Sequence, residues 1–356
     1  MKIIIEDGLN LYKKTGQGQY SINIHNILVQ LGYEVEMKRK PFLEKIKNST
    51  IKRILYVIWI NTIFPIKMLF NKSSIIIYTN TITPLFRLPH KKYYPVLHDL
   101  WAYKSPDTVT KAQKIYTDVV LFSIKNTYEK IITVSETSKS EIIDFFKCND
   151  KDVQVIYNFF SFNGTYNNEY DESTEQILLK KLGIDRKKYI LSVGTHNKRK
   201  NLQSLVDAFN LDNLDLKLVL PGAKHSQIFE NLNKNIIFPG YVNEEELKIL
   251  YKNALIYVFP SVYEGFGIPI IDAQNFGVPL ICSDIEVFHE VAGEAALFCI
   301  PNADDIAKKI KILSENENMR NKLIEKGYEN IKRFSLERIK LQIKLFIEEQ
   351  NEIGEV

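Results

Sequence analysis

Phe259-Pro-Ser-Val-Tyr-Glu-Gly-Phe-Gly-Ile-Pro-Ile-Ile-Asp-Ala273 decides how the rest of the chain is read. The apolar run over 255–259 predicts a buried strand, and the run over about 269–276 predicts a helix. Between them lies a loop with Glu264, Gly265, Phe266 and Gly267. Pro269 suits a first helical turn, where a missing N–H costs nothing. The glycines let backbone approach a ligand closely. Free N–H groups of Gly267 and Ile268, together with the helix dipole, favour negative charge over the helix start. Glu264 and Asp272, with seven residues between them, can accept hydrogen bonds from hydroxyls, as an acidic residue does from ribose. The bland alternative is an ordinary strand-to-helix turn with Asp272 favoured in its first turn. The agreement of loop, glycines, proline and carboxylates speaks against it.

Outward from this stretch the same alternation repeats. Strands are predicted over 189–193, 216–220, 236–238 and 280–282, with helices at 201–209, 224–232 and 244–252. The first half opens with the apolar Lys2–Glu6, a polar loop holding Gly16 and Gly18, and a helix from about Tyr20 to Leu31. Further strands are expected over 74–78, 94–97, 131–134 and 153–156, with helices over 110–126 and 139–146. Alternating strands and helices mean a parallel sheet covered on both faces. A length of 356 residues suggests two such domains. The polar, turn-rich segment 159–175 reads as their linker, and 335–350 as a closing amphipathic helix.

A second cluster, Val193-Gly-Thr-His-Asn-Lys-Arg-Lys-Asn201, puts three consecutive cations before a helix start, which is a diphosphate cradle on physical grounds. Its bland alternative is a solvated basic turn. Gly16-Gln-Gly-Gln-Tyr-Ser21 falls short of a dinucleotide fingerprint and is weak alone. His98 and Asp99 follow an apolar strand, where side chains of an open sheet reach the ligand crevice; a structural His–Asp pair is the alternative.

With these residues in place, the chain resembles the group-1 retaining glycosyltransferases, glycosyltransferase family 4, most densely over 189–305. The resemblance implies an α/β chain of the GT-B fold: two Rossmann-like doubly wound domains facing a cleft, with a C-terminal crossing helix. It implies an acceptor-binding domain over 1–165, completed by 335–356, and a nucleotide-sugar domain over 175–334. The family's Glu, seven residues, Glu signature becomes Glu264 and Asp272, the second one methylene shorter. A deoxyribose donor would have one hydroxyl fewer to satisfy there. On this resemblance Glu264 contacts the donor sugar or its phosphates, Asp272 the ribose, and Arg199 and Lys200 the diphosphate. Phe266, Gly267 and Ile268 line the donor site, Tyr241 and Val242 lie beside the base, and Gly16 and Gly18 face the phosphates. His98 is the catalytic neighbour of the sugar, with Glu264. Thr195 stands where many members carry a further Arg. Ser135 and Asn158 match family landmarks and read as structural, Ser135 as a helix cap.

The implied reaction moves a sugar from a nucleoside diphosphate (dTDP-rhamnose, GDP-mannose or a UDP-hexose) to a hydroxyl of a lipid-linked oligosaccharide, with retention. No metal or other cofactor is expected, since Asp150-Lys-Asp152 lies in a turn unsuited to a metal site. Two rivals stand beside it: another GT-B enzyme such as a nucleotide-sugar 2-epimerase, and a non-catalytic sugar-nucleotide-binding scaffold.

Composition sets outer limits. At 45% hydrophobic and 25% charged the chain is neither disordered nor fibrous. A net charge of +4 does not imply nucleic-acid binding, and none is expected. The charge is uneven, with 23 Lys and Arg against 15 Asp and Glu over 1–170. Seven cations fall between Lys38 and Arg53, so one lobe is expected to meet something anionic. Three scattered cysteines suggest a reducing compartment. The apolar stretch 54–70, broken by Asn61, Thr62, Pro65 and Lys67, is too short and interrupted to span a bilayer. It reads as a buried helix or as one lying on a membrane surface. A cytoplasmic protein with peripheral contact to anionic membrane is the expectation.

Overall fold

The computed structural model describes residues 2–9, 16–38, 40–46, 48–71, 73, 75–79, 82–160, 172–211, 215–222 and 229–352. The chain divides into two units, one of Met1–Asn158 with Leu336–Val356 and one of Phe159–Ser335.

The N-terminal unit holds strands β1 (Lys2–Glu6), β2 (Glu34–Met37), β3 (Ile75–Tyr78), β4 (Lys92–Pro95), β5 (Ile131–Thr133) and β6 (Val153–Val155). Four form a parallel sheet in the order β2-β1-β3-β4, and β5 pairs with β6, also in parallel. A parallel bridge between Val96 and Ile132 links the chain after β4 to β5. Ile3, Ile4 and Ile5 are fully buried, as are Ile76 and Tyr78. Continuous rather than alternating apolar residues are what a parallel strand covered on both faces requires. The helix Leu336–Glu352 packs on this unit through the Phe346 ring, 5.1 Å from that of Tyr94, and through Gln350, whose Oε1 accepts from the Tyr94 hydroxyl at 3.0 Å.

Three features here differ from the sequence reading. β2 is an additional strand. Its Glu34-Val-Glu-Met37 pattern draws no strand expectation because Glu is a poor strand former, but Lys2 pairs with Glu34 at 3.3 Å and Glu36 at 3.1 Å. Charge on such an edge strand also discourages further pairing. The helix expected from Tyr20 begins at Gly16, so Gly16 and Gly18 lie in its first turn; their poor helix propensity hides this. The stretch 54–70 falls into two helices, Ser49–Asn61 and Ile63–Leu69. Pro65 has no N–H to give the Asn61 carbonyl, so the first helix ends there.

The C-terminal unit is one parallel sheet of β7 (Tyr189–Leu191), β8 (Lys217–Val219), β9 (Ile236–Ile237), β10 (Ile256–Phe259), β11 (Leu280–Ser283) and β12 (Leu297–Cys299), ordered β12-β11-β10-β7-β8-β9. The chain starts in the middle at β7, runs outward through β8 and β9, then returns to β10 on the other side of β7. The direction of winding therefore reverses between β7 and β10, and a crevice opens beyond their carboxyl ends. Helices Leu202–Leu211 and Ala303–Glu315 cover one apolar core with Ile190, Leu218 and Val258. Of the helix expected at 224–232, residues 224–228 lie outside the described residues and 229–232 are not helical. Most of the expected linker, 161–171, also lies outside them.

Candidate functional site

The two loops that flank the winding reversal meet. Asn197 caps the short turn Lys198–Lys200 by accepting from the Lys200 N–H at 3.2 Å. Asn201 then takes a left-handed φ of 52°, which turns the chain into the helix Leu202–Leu211. This places Arg199 and Lys200 against the loop after β10. Arg199 Nη1 lies 2.5 Å from Glu264 Oε2 and donates to the Tyr263 carbonyl at 2.9 Å. Lys200 Nζ lies 2.6 Å from Glu264 Oε1 and 4.7 Å from the centre of the Phe259 ring. One backbone bond, from the Val262 N–H to the Arg199 carbonyl at 3.0 Å, ties the loops together.

Glycines permit this closeness where nothing larger would fit. A Cβ on Gly222 would stand 1.9 Å from the Gly194 carbonyl oxygen, so the loops after β7 and β8 touch backbone to backbone. Gly267, at φ 113°, opens the helix Ile268–Asn275, and a Cβ there would press to 3.1 Å on Ile270 and 3.2 Å on Phe288. The start of this helix, with Pro269 in its first turn, lies four residues beyond Glu264.

The electrostatics follow from the count of charges. Burial would raise the Glu264 carboxyl, but Arg199 and Lys200 overcome that and hold it at about 2. Glu264 is therefore ionised at any physiological pH and serves as an acceptor, not as a proton donor. Two cations thus meet at one carboxylate in the loop that leads into a helix start, a setting that suits an anion.

The remaining predicted residues are spread over this unit and the other. Asp272 is buried one turn inside the helix Ile268–Asn275. Ile268 opens that helix, while the Phe266 ring packs edge-on against Phe334 at 5.4 Å, a core contact. Tyr241 is 63% exposed and Val242 half-buried, in the loop after β9. That loop is tied to the site by the Gly222 N–H, which donates to the Gly240 carbonyl at 2.8 Å. Gly222, the Tyr263 carbonyl and the Asn197 cap are site features the sequence reading does not single out; Pro221-Gly222 directly after a strand is the one local signal.

Gly16, Gly18, His98 and Asp99 belong to the N-terminal unit. His98 follows β4, with its carbonyl accepting from Ser138 Oγ at 3.2 Å and its ring edge-on to Tyr20 at 5.0 Å. Burial lowers its pKa, more than Asp99 and a hydrogen bond with the Thr79 backbone raise it, so the imidazole is neutral. His98 Nε2 and the Tyr20 hydroxyl are buried with no hydrogen-bond partner among the described residues. Asp99 accepts from the Trp101 N–H at 3.0 Å, in a local turn. Ser135 caps the helix Glu136–Phe146, and Asn158 is buried where the N-terminal unit first ends.

Two Rossmann-like units, with a cationic loop at the winding reversal of the second, fit the GT-B fold. Residues 174–330 match the family described as glycosyl transferases group 1. The chain is 30% identical over 271 residues to O-antigen chain mannosyltransferase B of Escherichia coli, covering 71% of this chain and 70% of that protein. It is 28% identical to O-antigen chain mannosyltransferase RfbU of Salmonella typhimurium, over 77% of this chain and 74% of that one. Sucrose-phosphate synthase from Thermosynechococcus elongatus shares the fold, with a TM-score of 0.78 over 99% of this chain and 100% of that chain at 18% identity. The chain belongs to the group 1 glycosyl transferases.

Proposed function

We propose that the protein transfers a hexose from a nucleoside diphosphate to a hydroxyl of a lipid-linked oligosaccharide, in the assembly of a bacterial O-antigen or related surface polysaccharide. The reading includes retention at the anomeric carbon and no requirement for a metal. Arg199 and Lys200 sharing the single carboxylate of Glu264 is the observation that carries it. Both curated relatives are named as mannosyltransferases, which favours GDP-mannose over dTDP-rhamnose or a UDP-hexose as the donor.

On this reading the bond from the anomeric carbon to the β-phosphate oxygen breaks, and a bond from that carbon to the acceptor oxygen forms on the same face. The acceptor's proton passes to the departing phosphate. Arg199, Lys200 and the N–H groups at the start of Ile268–Asn275 stabilise the charge that develops on the leaving diphosphate. Glu264 keeps the two cations in place and accepts from sugar hydroxyls, Asp272 serves the ribose, and neutral His98 orients the sugar without competing for its charge.

The test is incubation with each of the three donor types and a lipid-linked oligosaccharide, with the new linkage assigned by NMR. The expected product comes from GDP-mannose, keeps the donor's anomeric configuration and forms at the same rate in EDTA. Consumption of none of the donors would remove the reading. An inverted product would remove retention, and loss of rate in EDTA would remove metal independence. A lipid-borne acceptor also implies work at a membrane, for which the basic run 38–53 and the apolar stretch 54–70 are the features in the sequence.

A further inference from the structure

The N-terminal sheet reverses its winding as the C-terminal one does. In the order β2-β1-β3-β4 the chain leaves β1 for β2 and returns to β3 on the other side of β1, so a crevice opens beyond the carboxyl ends of these strands. Thr79 follows β3 and His98 follows β4 at that edge. The first turns of the helix Gly16–Gln30 pack against both. Ser21 Oγ donates to Thr79 Oγ1 at 2.6 Å, with both residues buried. The Tyr20 ring stands edge-on to the His98 ring, with 5.0 Å between centroids and 81° between planes.

Two polar atoms at this contact lack a partner among the described residues, His98 Nε2 and the Tyr20 hydroxyl. The hydrogen bond of His98 with the Thr79 backbone favours the protonated ring, so it runs to the Thr79 carbonyl. With Nε2 unpartnered, the bond comes from Nδ1. A neutral imidazole that donates through Nδ1 leaves Nε2 as an acceptor. The Tyr20 hydroxyl keeps its proton, because burial raises its pKa, and it is able to donate. Tyr20 is only 3% exposed and shares a small apolar cavity with Ile24, Ile77, Val96, Ile132 and Phe346. A buried hydroxyl without a partner costs stability, and phenylalanine would suit such surroundings better. Packing therefore does not explain the hydroxyl.

The two atoms select a ligand by class. One acceptor beside one donor matches a neutral hydroxyl, which gives one hydrogen bond and takes another. An ionised phosphate has no proton to give to Nε2, and an ammonium has no lone pair for the phenol.

We infer that Tyr20 is a second sugar-binding residue of the N-terminal unit, its hydroxyl donating to one hydroxyl of the transferred hexose while that same hydroxyl donates to His98 Nε2. The inference rests on the proposed reaction and narrows its substrate. A hexose without the contacted hydroxyl strands both atoms and should be used about a hundredfold less well in kcat/KM.

The test compares kcat/KM of the wild type and of Tyr20→Phe for GDP-mannose and for its mono-deoxy analogues, each lacking one hydroxyl. Tyr20→Phe is expected to lose about tenfold on GDP-mannose and to melt at the wild-type temperature or above it. On one analogue, itself a poor donor for the wild type, the two proteins should perform alike, because the hydroxyl that Tyr20 meets is already gone. A variant that transfers mannose as the wild type does, or that loses the same factor on every analogue, would overturn the inference. So would a lower melting temperature, which would give the hydroxyl a structural partner. A wild type that consumes no donor would instead remove the proposed reaction, and the sugar site with it.

Discussion

A knot of buried charge sits in each unit, and a carboxylate meets one cation in the first and two in the second. In the N-terminal unit Glu6 and Asp7, at the end of β1, share Lys40, whose Nζ is 2.6 Å from Glu6 Oε1 and 3.2 Å from Asp7 Oδ1. The Tyr56 hydroxyl donates to the same Glu6 oxygen at 3.1 Å. In the C-terminal unit Glu264 pairs with both Arg199 and Lys200. Burial raises the carboxylate pKa in both places. Against one shared cation it wins and lifts Glu6 to about 7; against two cations it loses and Glu264 stays near 2. The first knot sheds its surplus charge by holding a proton. The second keeps its carboxylate ionised between a guanidinium, which does not release its proton, and an ammonium. The count of charges around a buried carboxylate, more than its burial, thus separates a structural knot from one suited to a ligand.

The same substitution in both knots tests this contrast. Glu264→Gln should cost roughly 3 kcal/mol in urea unfolding at pH 7, because it leaves two partly buried cations without their carboxylate. The folded pKa lies below the ordinary 4.5, so the wild-type contribution is complete above that value and is lost as pH falls through about 2. The gap between variant and wild type should close over that range. Glu6→Gln should cost less than about 1 kcal/mol at pH 6, where Glu6 is largely protonated and glutamine has its shape. Its folded pKa lies above 4.5, so the wild type should lose stability as pH rises from about 4.5 to 7, and the variant should lack that decline. Equal costs for the two substitutions would break the comparison.

Much of the fold is legible because parallel strands write themselves as short apolar runs. The isoleucines of β1 and β3 and the run into β10 mark their strands directly. What escapes is local conflict. β2 alternates acids with apolar residues at an edge, and the helix Gly16–Gln30 begins on glycines. Arg199, Lys200 and Glu264 each draw attention alone, the first two as cations before a helix and the third beside glycines. Their meeting is a long-range fact, produced by β7 and β10 lying next to each other although sixty-odd residues apart in sequence. The Gly194–Gly222 contact is hidden for the same reason, since a Pro-Gly pair after a strand looks like any turn. Phe266 shows the reverse: a motif position whose ring packs on Phe334 in the core.

The central claim is that Arg199 and Lys200, held by Glu264, grip a diphosphate. Its most direct test is calorimetric titration of GDP, UDP and dTDP, and of the matching monophosphates, into the wild type and into Arg199→Ala/Lys200→Ala. The account predicts that at least one diphosphate binds about tenfold or more tightly than its monophosphate, and that the double variant, folded by circular dichroism, loses this preference. A double variant that binds the diphosphate as tightly as the wild type would contradict it.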